Sequence, residues 1–297
     1  MEEEHTPIID AIDMEILMHR DSHFGSNFEI MVEYYSQDCV GIMPDFSIEE
    51  IKKLQQLEKE GGSNLSTTYL PESAREVTLK AQDMYKKLRS AYETDTPDSN
   101  AILISDLILS EEETPTKEIQ ALTEKGKEVV PLLINLLQSE LFYDPLFPGY
   151  GRSPIFAAKA LSLIQDEQAI APLFEALGHD NFFTDEEIIK AICSFKKKAR
   201  DFLLNIVKQK PLSKDNEYAA IVLSSMEEDK KVSEVALELL NDPEVRKRFS
   251  LASYLVFTCA NLKDEKDRKS FSSLVKQKDL PKELKEEILL VRNGWRR

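Results

Sequence analysis

Residues 153–178 read SPIFAAKALSLIQDEQAIAPLFEALG, the clearest helical pattern in the chain. Apolar residues three and four positions apart are typical of a helix with one broad buried face. The first half of the stretch has this spacing at Ile155, Ala158, Leu161 and Ile164. The second half has it at Ile170, Leu173, Phe174 and Leu177. Residues 165–167 form a polar connection between the halves. Pro172 falls in the first turn of the second half, where a missing N–H is tolerated, and Gly178 can end that helix in a left-handed conformation. The stretch predicts two amphipathic helices in a tight hairpin.

Weaker copies of this hairpin lie on both sides of it. The pattern of the second helix recurs upstream at residues 129–137, where Pro131 precedes Pro172 by 41 residues. It recurs downstream at residues 198–207, 232–240 and 268–275, and candidate first helices occupy 185–195, 215–225 and 244–260. Spacings of about 30 to 41 residues are typical of stacked helix pairs, since one pair cannot bury its apolar surface alone.

These segments carry a family resemblance. A helix ending in Ala-Leu or Leu-Gly, a short acidic turn and a second helix opening near a proline resemble HEAT-like (armadillo-type) helical repeats. The resemblance covers residues 117–290 and is closest at residues 157–178, whereas beyond Phe195 no residue corresponds to Pro172. It implies an α-solenoid with a binding role and implies no reaction.

The remaining chain is predicted to be helical without a fixed period. Asn27 is placed to cap a helix over residues 28–37, and Ser47 with Glu50 forms a capping box for a helix that Gly61 and Gly62 end. We therefore expect an all-α protein in three parts. Residues 1–95 form an irregular N-terminal helical region that can cap the repeats, with a frayed tail at residues 1–7. Residues 96–116 form a linker with a short helix, and residues 117–297 form a solenoid of about five HEAT-like pairs.

Composition favours a globular protein of the cytoplasm. Hydrophobic residues make up 42% of the chain and charged residues 31%, and no run of 18 apolar residues predicts a membrane span. The acidic start does not resemble a secretion signal. Cys39, Cys193 and Cys259 lie far apart in sequence and are predicted to be reduced, mostly buried thiols rather than a metal site. The sequence predicts no cofactor and no metal.

Charge is distributed unevenly along the chain. Residues 1–100 carry 9 Lys and Arg against 21 Asp and Glu, and residues 101–189 carry 5 against 16. Residues 190–297 carry 24 against 17 and are the basic part of a chain whose net charge is −16. The acidic two-thirds would repel nucleic acid, so nucleic acid is an unexpected partner.

The segment at residues 19–28, HRDSHFGSNF, is the most unusual local sequence. His19 and His23 would face the same side of a helix, and with Asp21 they suggest a metal site. Gly25 and the lack of apolar periodicity argue against a helix there, and no third ligand is evident. The alternative is a turn whose histidines bond backbone carbonyls or a helix end. The only histidine near the repeats, His179, is predicted at a helix end.

An aromatic insertion, SELFYDPLFPGYGRSP, occupies residues 139–154 just before the hairpin. Its prolines and glycines prevent a regular helix, and insertions between repeats often lie on the binding face. We predict that Tyr143, Phe147, Tyr150 and Arg152 contact a partner, because aromatic and arginine side chains dominate interface energetics. The alternative is that Phe142 and Phe147 complete the core and leave the tyrosines and Arg152 outside.

Two basic clusters lie in the last third of the chain; they are Lys196, Lys197, Lys198 and Arg200, and Arg246, Lys247 and Arg248. They are candidates for an acidic protein, for the acidic half of a second copy, or for nucleic acid. The alternative is a set of solvated side chains at helix ends.

The sequence therefore predicts a non-enzymatic scaffold that binds another protein through the concave face of the solenoid and the insertion. One alternative is nucleic-acid binding by the basic last third, with DNA base excision as its extension. A second alternative, from the resemblance alone, is an enzyme similar to the HEAT-like lyases that attach or remove chromophores.

Overall fold

The computed structural model describes residues 9–96, 98–178, 182–226 and 229–295, and within these ranges helix is the only regular secondary structure. The protein is all-α. It divides into two compact units, Met1–Ile164 (unit 1) and Gln165–Arg297 (unit 2). The boundary falls between the two halves of the predicted hairpin, and the predicted boundaries near residues 95 and 116 lie inside unit 1. The predicted tail at residues 1–7 and His179 lie outside the described residues.

The helices of unit 1 are α1 (Ala11–His23), α2 (Phe28–Ser36), α3 (Ile48–Gly61), α4 (Leu65–Tyr69), α5 (Glu72–Thr94), α6 (Asn100–Leu109), α7 (Thr116–Lys125), α8 (Val130–Gln138) and α9 (Ser153–Ile164). Short 3-10 turns occupy Gly126–Val129 and Glu140–Tyr143.

Local capping fixes several of these helix ends. The side chain of Asn27 accepts hydrogen bonds from the first turn of α2, and Ser47 forms a capping box with Glu50 at the start of α3. Gly62 ends α3 in the left-handed conformation, at a φ of 61°. Such caps satisfy backbone groups that a helix leaves without partners. All three predictions are confirmed.

Helix α1 corrects one expectation, because it continues to His23 and so includes the first half of the segment 19–28 that was predicted not to be helical. His19, Arg20, Asp21 and Ser22 are all buried in its last turns. Arg20 has no exposed side-chain area, and its guanidinium lies 2.7 Å from carboxylate oxygens of both Asp21 and Glu58. This part of the helix is therefore stabilised by buried polar contacts and not by an apolar stripe. Apolar periodicity could not predict a helix of this kind.

Helix α6 belongs to the packed interior of unit 1. The side chain of Ser99 caps its first turn, and its buried residues include Ile102, Leu107 and Ile108. It packs against α5 on one side and α7 on the other. The predicted short helix of the linker is thus present, and it connects neighbouring helices through continuous packing.

The helices of unit 2 are α10 (Ile170–Glu175), α11 (Phe182–Ser194), α12 (Lys197–Val207), α13 (Lys214–Ser225), α14 (Lys230–Leu240), α15 (Pro243–Arg246), α16 (Phe249–Thr258), α17 (Glu265–Ser273) and α18 (Lys282–Gly294). Short 3-10 turns occupy Glu167–Ala169, Cys259–Asn261 and Leu274–Lys276.

Unit 2 is arranged in two rows of helices. In the first row, α11 packs on α13, α13 on α16 and α16 on α18; in the second row, α12 packs on α14 and α14 on α17. The rows are joined because α12 also contacts α13 and α14 also contacts α16. The helices lie close to the predicted segments, except that the single helix predicted over residues 244–260 is divided into α15 and α16. Gly178 has the predicted left-handed backbone, with a φ of 86°, although α10 already ends at Glu175.

Among the helices of the described ranges, none combines the length and the apolar character needed to cross a membrane.

Candidate functional site

The two most unusual stretches of the sequence meet in unit 1. The end of α1 contributes His19 and His23, α2 and α5 contribute Tyr34 and Tyr85, and the aromatic insertion contributes Tyr150. We call these five residues the histidine–tyrosine cluster. Because His19 and His23 are one helical turn apart, their rings face the same side, with 4.6 Å between ring centroids.

Both ring nitrogens of His23 are engaged. Nδ1 lies 2.7 Å from the hydroxyl of Tyr85, and Nε2 lies 2.9 Å from the carbonyl oxygen of Pro145. Burial lowers the pKa of His23 to about 4, so the ring carries a single proton at neutral pH. A carbonyl only accepts, which assigns that proton to Nε2 and leaves the Tyr85 hydroxyl to donate to Nδ1. The bond to a backbone carbonyl was predicted, but His23 makes it from the last turn of α1 and not from the predicted non-helical turn.

His19 lies deeper than His23 and is 1% exposed. Its ring contacts those of Phe24, Tyr35 and Phe46 edge-on, with centroids 5.6 to 6.0 Å away. Burial, and next the neighbouring His23, lower its pKa to about 3, so the ring is neutral. Nε2 is buried and has no hydrogen-bond partner in the structure.

Tyr150 reaches the histidine–tyrosine cluster because the insertion has an unusual backbone conformation around it. Gly149, Tyr150 and Gly151 all have positive φ, at 87°, 55° and 75°, a region that glycine adopts readily and tyrosine rarely. The resulting turn brings the ring of Tyr150 within 4.5 Å of the ring of His23, centroid to centroid. A Cβ atom at Gly41 would overlap the Tyr150 ring, so the absence of a side chain there permits the contact.

The hydroxyl groups of Tyr34 and Tyr150 lie close to the carboxylate of Glu111. The hydroxyl of Tyr34 donates to Glu111 over 2.7 Å and accepts from the backbone N–H of Gly41 over 3.0 Å. The hydroxyl of Tyr150 lies 3.5 Å from the other carboxylate oxygen of Glu111. Burial is the main reason that the pKa values of Tyr34, Tyr85 and Tyr150 are all raised.

At neutral pH the histidines and the tyrosines of the cluster are therefore all uncharged. General acid–base catalysis is most effective when the pKa of the group lies near the working pH, and these pKa values lie well away from it. The arrangement is suited to hydrogen bonding and packing. Among the described residues, no group of three or more His, Cys, Asp or Glu is placed to hold a metal ion.

The predicted partner-binding residues of the insertion are used within unit 1. Phe147 is 2% exposed and belongs to the core, which corrects its assignment as a contact residue. The hydroxyl of Tyr143 donates to the carbonyl of Leu137 over 2.7 Å. The guanidinium of Arg152 donates to the carbonyls of Glu112 and Ser110 over 3.1 and 3.2 Å. Tyr143, Tyr150 and Arg152 keep partial exposure, so binding through them remains a prediction.

The first basic cluster is partly neutralised by carboxylates of unit 2. Arg200 lies 2.7 Å from Asp229 and 2.9 Å from Asp201, and Lys198 lies 2.5 Å from Glu167. Lys196 and Lys197 are exposed. Lys196 and Lys197 therefore fit the alternative of solvated side chains at a helix end, whereas Lys198 and Arg200 form ion pairs within unit 2.

The second basic cluster contains one structural arginine. Arg246 is 4% exposed, lies 2.6 Å from Asp279, and donates to the carbonyls of Leu240 and Asn241 over 2.9 Å each. Its assignment to a binding patch is corrected, because its donors serve the turn after α14. Lys247 lies 2.6 Å from Glu244, and Arg248 donates to the carbonyl of Leu212 over 2.7 Å.

Unit 2 presents a second candidate, a groove of about 450 Å³ along α10, α12 and α13 whose lining is part apolar and part polar. Phe174 and Phe202 meet edge-to-face there, with centroids 5.8 Å apart. The apolar lining is completed by Ala171, Leu177 and Ile206. Two exposed carboxylates, Glu175 and Asp215, also line the groove. The sequence contained the signal for this groove, since Phe202 and Ile206 lie on one face of the predicted second helix, but not for its partners.

The roles of Tyr34, Gly41, Tyr85 and Glu111 were not predicted. The His-x3-His spacing and the Gly-Tyr-Gly turn were the available signals, and neither identifies contacts that are distant in sequence.

The chain matches no protein-family model and no curated protein.

Proposed function

We propose that the protein is a non-enzymatic helical-repeat scaffold that binds another protein, with HEAT-like pairs forming an α-solenoid of about five pairs. The observation that carries the proposal is the groove along α10, α12 and α13 in unit 2, where aromatic and aliphatic side chains lie beside polar ones. The two-row packing of unit 2 supports the repeat assignment, because each helix pair covers the next in the same order.

The groove favours a partner that presents an amphipathic helix. A helix lays its apolar face into such a groove through side chains spaced three and four residues apart. Phe202 and Ile206 are half-buried on one face of α12 and offer a matching apolar surface. The exposed carboxylates of Glu175 and Asp215 favour basic residues beside the apolar face of the partner.

Perturbed pKa values support a role other than catalysis. Burial lowers the pKa values of His19 and His23 and raises those of Cys193 and Cys259, to about 11 for Cys193. A thiol of raised pKa is a poor nucleophile at neutral pH, because the thiolate is the reactive form. The pKa shifts of His19, His23, Cys193 and Cys259 thus make these groups less reactive at neutral pH.

Nucleic-acid binding is not proposed, because the basic last third is balanced within its own unit. Residues 165–297 carry 24 Lys and Arg and 24 Asp and Glu, whereas residues 1–164 carry 14 against 30. The guanidinium groups of Arg200 and Arg246 are already paired with carboxylates. Chromophore attachment has only the family resemblance in its favour.

The experiment is a capture of partners by the purified full chain and by two variants. Phe202→Glu places a charge in the groove and is expected to reduce capture at least tenfold. Leu290→Glu is the matched control, since Leu290 is 64% exposed on α18 and does not line the groove; its capture is expected to equal that of the wild type. Trp295 fluorescence during urea unfolding checks that both variants keep unit 2 folded. Equal capture by Phe202→Glu and wild type would contradict the proposal.

A further inference from the structure

Next to the histidine–tyrosine cluster, unit 1 contains a cleft of about 320 Å³, which we call the His19 cleft. Its walls are mainly apolar; they include Met18, Met43, Phe46 and Leu146. These side chains come from α1, from the segment before α3 and from the aromatic insertion. The volume lies at the small end of the range for ligand pockets and suits a molecule with a single ring.

One polar atom in this apolar setting has no partner. His19 lines the cleft, is 1% exposed, and its Nε2 makes no hydrogen bond in the structure. Buried polar atoms are nearly always hydrogen-bonded, because leaving one unpaired costs free energy. An orphan nitrogen beside a cleft therefore indicates that a ligand supplies the missing partner.

The proton on His19 decides which kind of ligand fits. Burial keeps the ring neutral, and one nitrogen of a neutral imidazole carries a lone pair. In the tautomer with the proton on Nδ1 that lone pair is on Nε2, and an N–H of a ligand can donate to it.

The charged residues of the His19 cleft point to the same chemistry. Glu15 and Asp144 line it, and its lining contains no Lys or Arg. Asp144 already accepts the backbone N–H of Leu146 over 2.9 Å through one oxygen. The available polar groups are acceptors with negative charge, and the ring of Phe46 adds an aromatic wall that attracts cations.

We propose that the His19 cleft binds a small apolar molecule that carries a protonated amine. One N–H of the amine donates to Nε2 of His19, the carboxylates of Glu15 and Asp144 balance the positive charge, and the apolar body packs among Met43 and Phe46. This site is in unit 1 and is separate from the groove of unit 2, so it adds a ligand class that the scaffold proposal does not contain.

The test is calorimetric titration of the full chain with three probes that share one ring. They are 2-phenylethylamine, the neutral 2-phenylethanol and the anion phenylacetate. The amine is expected to bind at least tenfold more tightly than the alcohol, and phenylacetate is expected not to bind. Equal binding of amine and alcohol, or no binding of the amine, would overturn the proposal.

Variants place the binding in the cleft. His19→Phe keeps the aromatic packing and removes the acceptor, so amine affinity should fall at least tenfold. Met43→Trp fills the cleft from a half-exposed position and should abolish binding even if His19→Phe fails to fold. Glu15→Gln should weaken the amine severalfold, whereas Glu29→Gln, an exposed carboxylate outside the lining, should not. Amine affinity unchanged in Met43→Trp, or equally reduced in Glu15→Gln and Glu29→Gln, would contradict the assignment.

Discussion

The imidazole ring of His23 packs against the phenol ring of Tyr150, with 4.5 Å between the ring centroids and 34° between the ring planes. One ring belongs to the last turn of α1 and the other to the insertion that precedes α9. The Nε2–H of His23 donates to the carbonyl of Pro145, which ties the same insertion to the same helix a second time. The insertion is therefore fixed by α1, and the stability of unit 1 depends on the neutral form of the histidines.

Unit 1 is expected to lose stability as the pH falls below 6.5. The pKa values of His19 and His23 are lowered from 6.5 to about 3 and about 4 in the folded protein. Between these values and 6.5 the unfolded chain takes up protons that the folded protein does not, so the stabilisation is complete above pH 6.5 and is lost towards pH 4. At pH 5 the loss is about 2 kcal/mol for each histidine, measurable by hydrogen exchange of unit 1 at pH 7 and 5.

Proton NMR provides the control for this prediction. The chain has four histidines, and His19→Phe and His23→Phe assign two of the ring C2–H resonances. Those two resonances should not shift between pH 8 and 5. Titration of either ring near pH 6.5 would contradict the buried, neutral state.

Gly41→Ala is expected to destabilise unit 1 by about 1–3 kcal/mol, because the added methyl group overlaps the ring of Tyr150. Gly61→Ala is the matched control: it lies in α3 with nothing near its added Cβ, and it should stabilise by up to about 1 kcal/mol. Hydrogen exchange of amides in α1 measures both changes. Adding Tyr150→Leu should remove most of the cost of Gly41→Ala, whereas strictly additive effects would show that the ring is not the cause.

Arg20→Met is expected to cost unit 1 about 3–5 kcal/mol, because removing one member of a buried ion-pair network leaves the others uncompensated. The guanidinium of Arg20 contacts Asp21, Glu58 and Ser66 at 2.7 to 2.8 Å. Lys59→Met is the control, since the ion pair of Lys59 with Glu29 is exposed and 3.7 Å long; its effect should stay within about 0.5 kcal/mol. Similar losses for the two variants in urea unfolding would refute the structural role of Arg20.

The two neighbours Arg246 and Lys247 are expected to differ sharply. Arg246→Ala leaves the carbonyls of Leu240 and Asn241 without donors and should destabilise unit 2 by about 2–3 kcal/mol. Lys247→Ala removes an exposed ion pair and should change stability by less than about 0.5 kcal/mol. Trp295 packs against Phe271, with centroids 5.4 Å apart, so its fluorescence reports the unfolding of unit 2. A neutral Arg246→Ala variant would favour a role for Arg246 in binding.

Sequence patterns predicted the features that depend on local interactions. The all-helical class, the caps at Asn27 and Ser47, and the helix positions of unit 2 follow from periodicity and from backbone groups that need nearby partners. The left-handed backbone of Gly178 follows from the same local rules.

Features that depend on distant contacts were not predictable in the same way. The end of α1 is helical because Arg20 finds Glu58 across unit 1, and no local pattern encodes that contact. The insertion was recognised as unusual, but its contact with His23 requires the turn at Tyr150 and the missing side chain of Gly41. The basic clusters could be counted from the sequence, whereas the pairing of Arg246 with Asp279 could not.

The most direct test of the scaffold function is hydrogen exchange of the full chain with and without the partner that the wild type captures and Phe202→Glu does not. We predict that the partner slows exchange in α10 and α12, because its helix covers Phe174, Phe202 and Ile206. Exchange in α1 and α2 should be unchanged. Protection confined to helices other than α10, α12 and α13, or no protection in α10 and α12, would contradict the proposed binding groove.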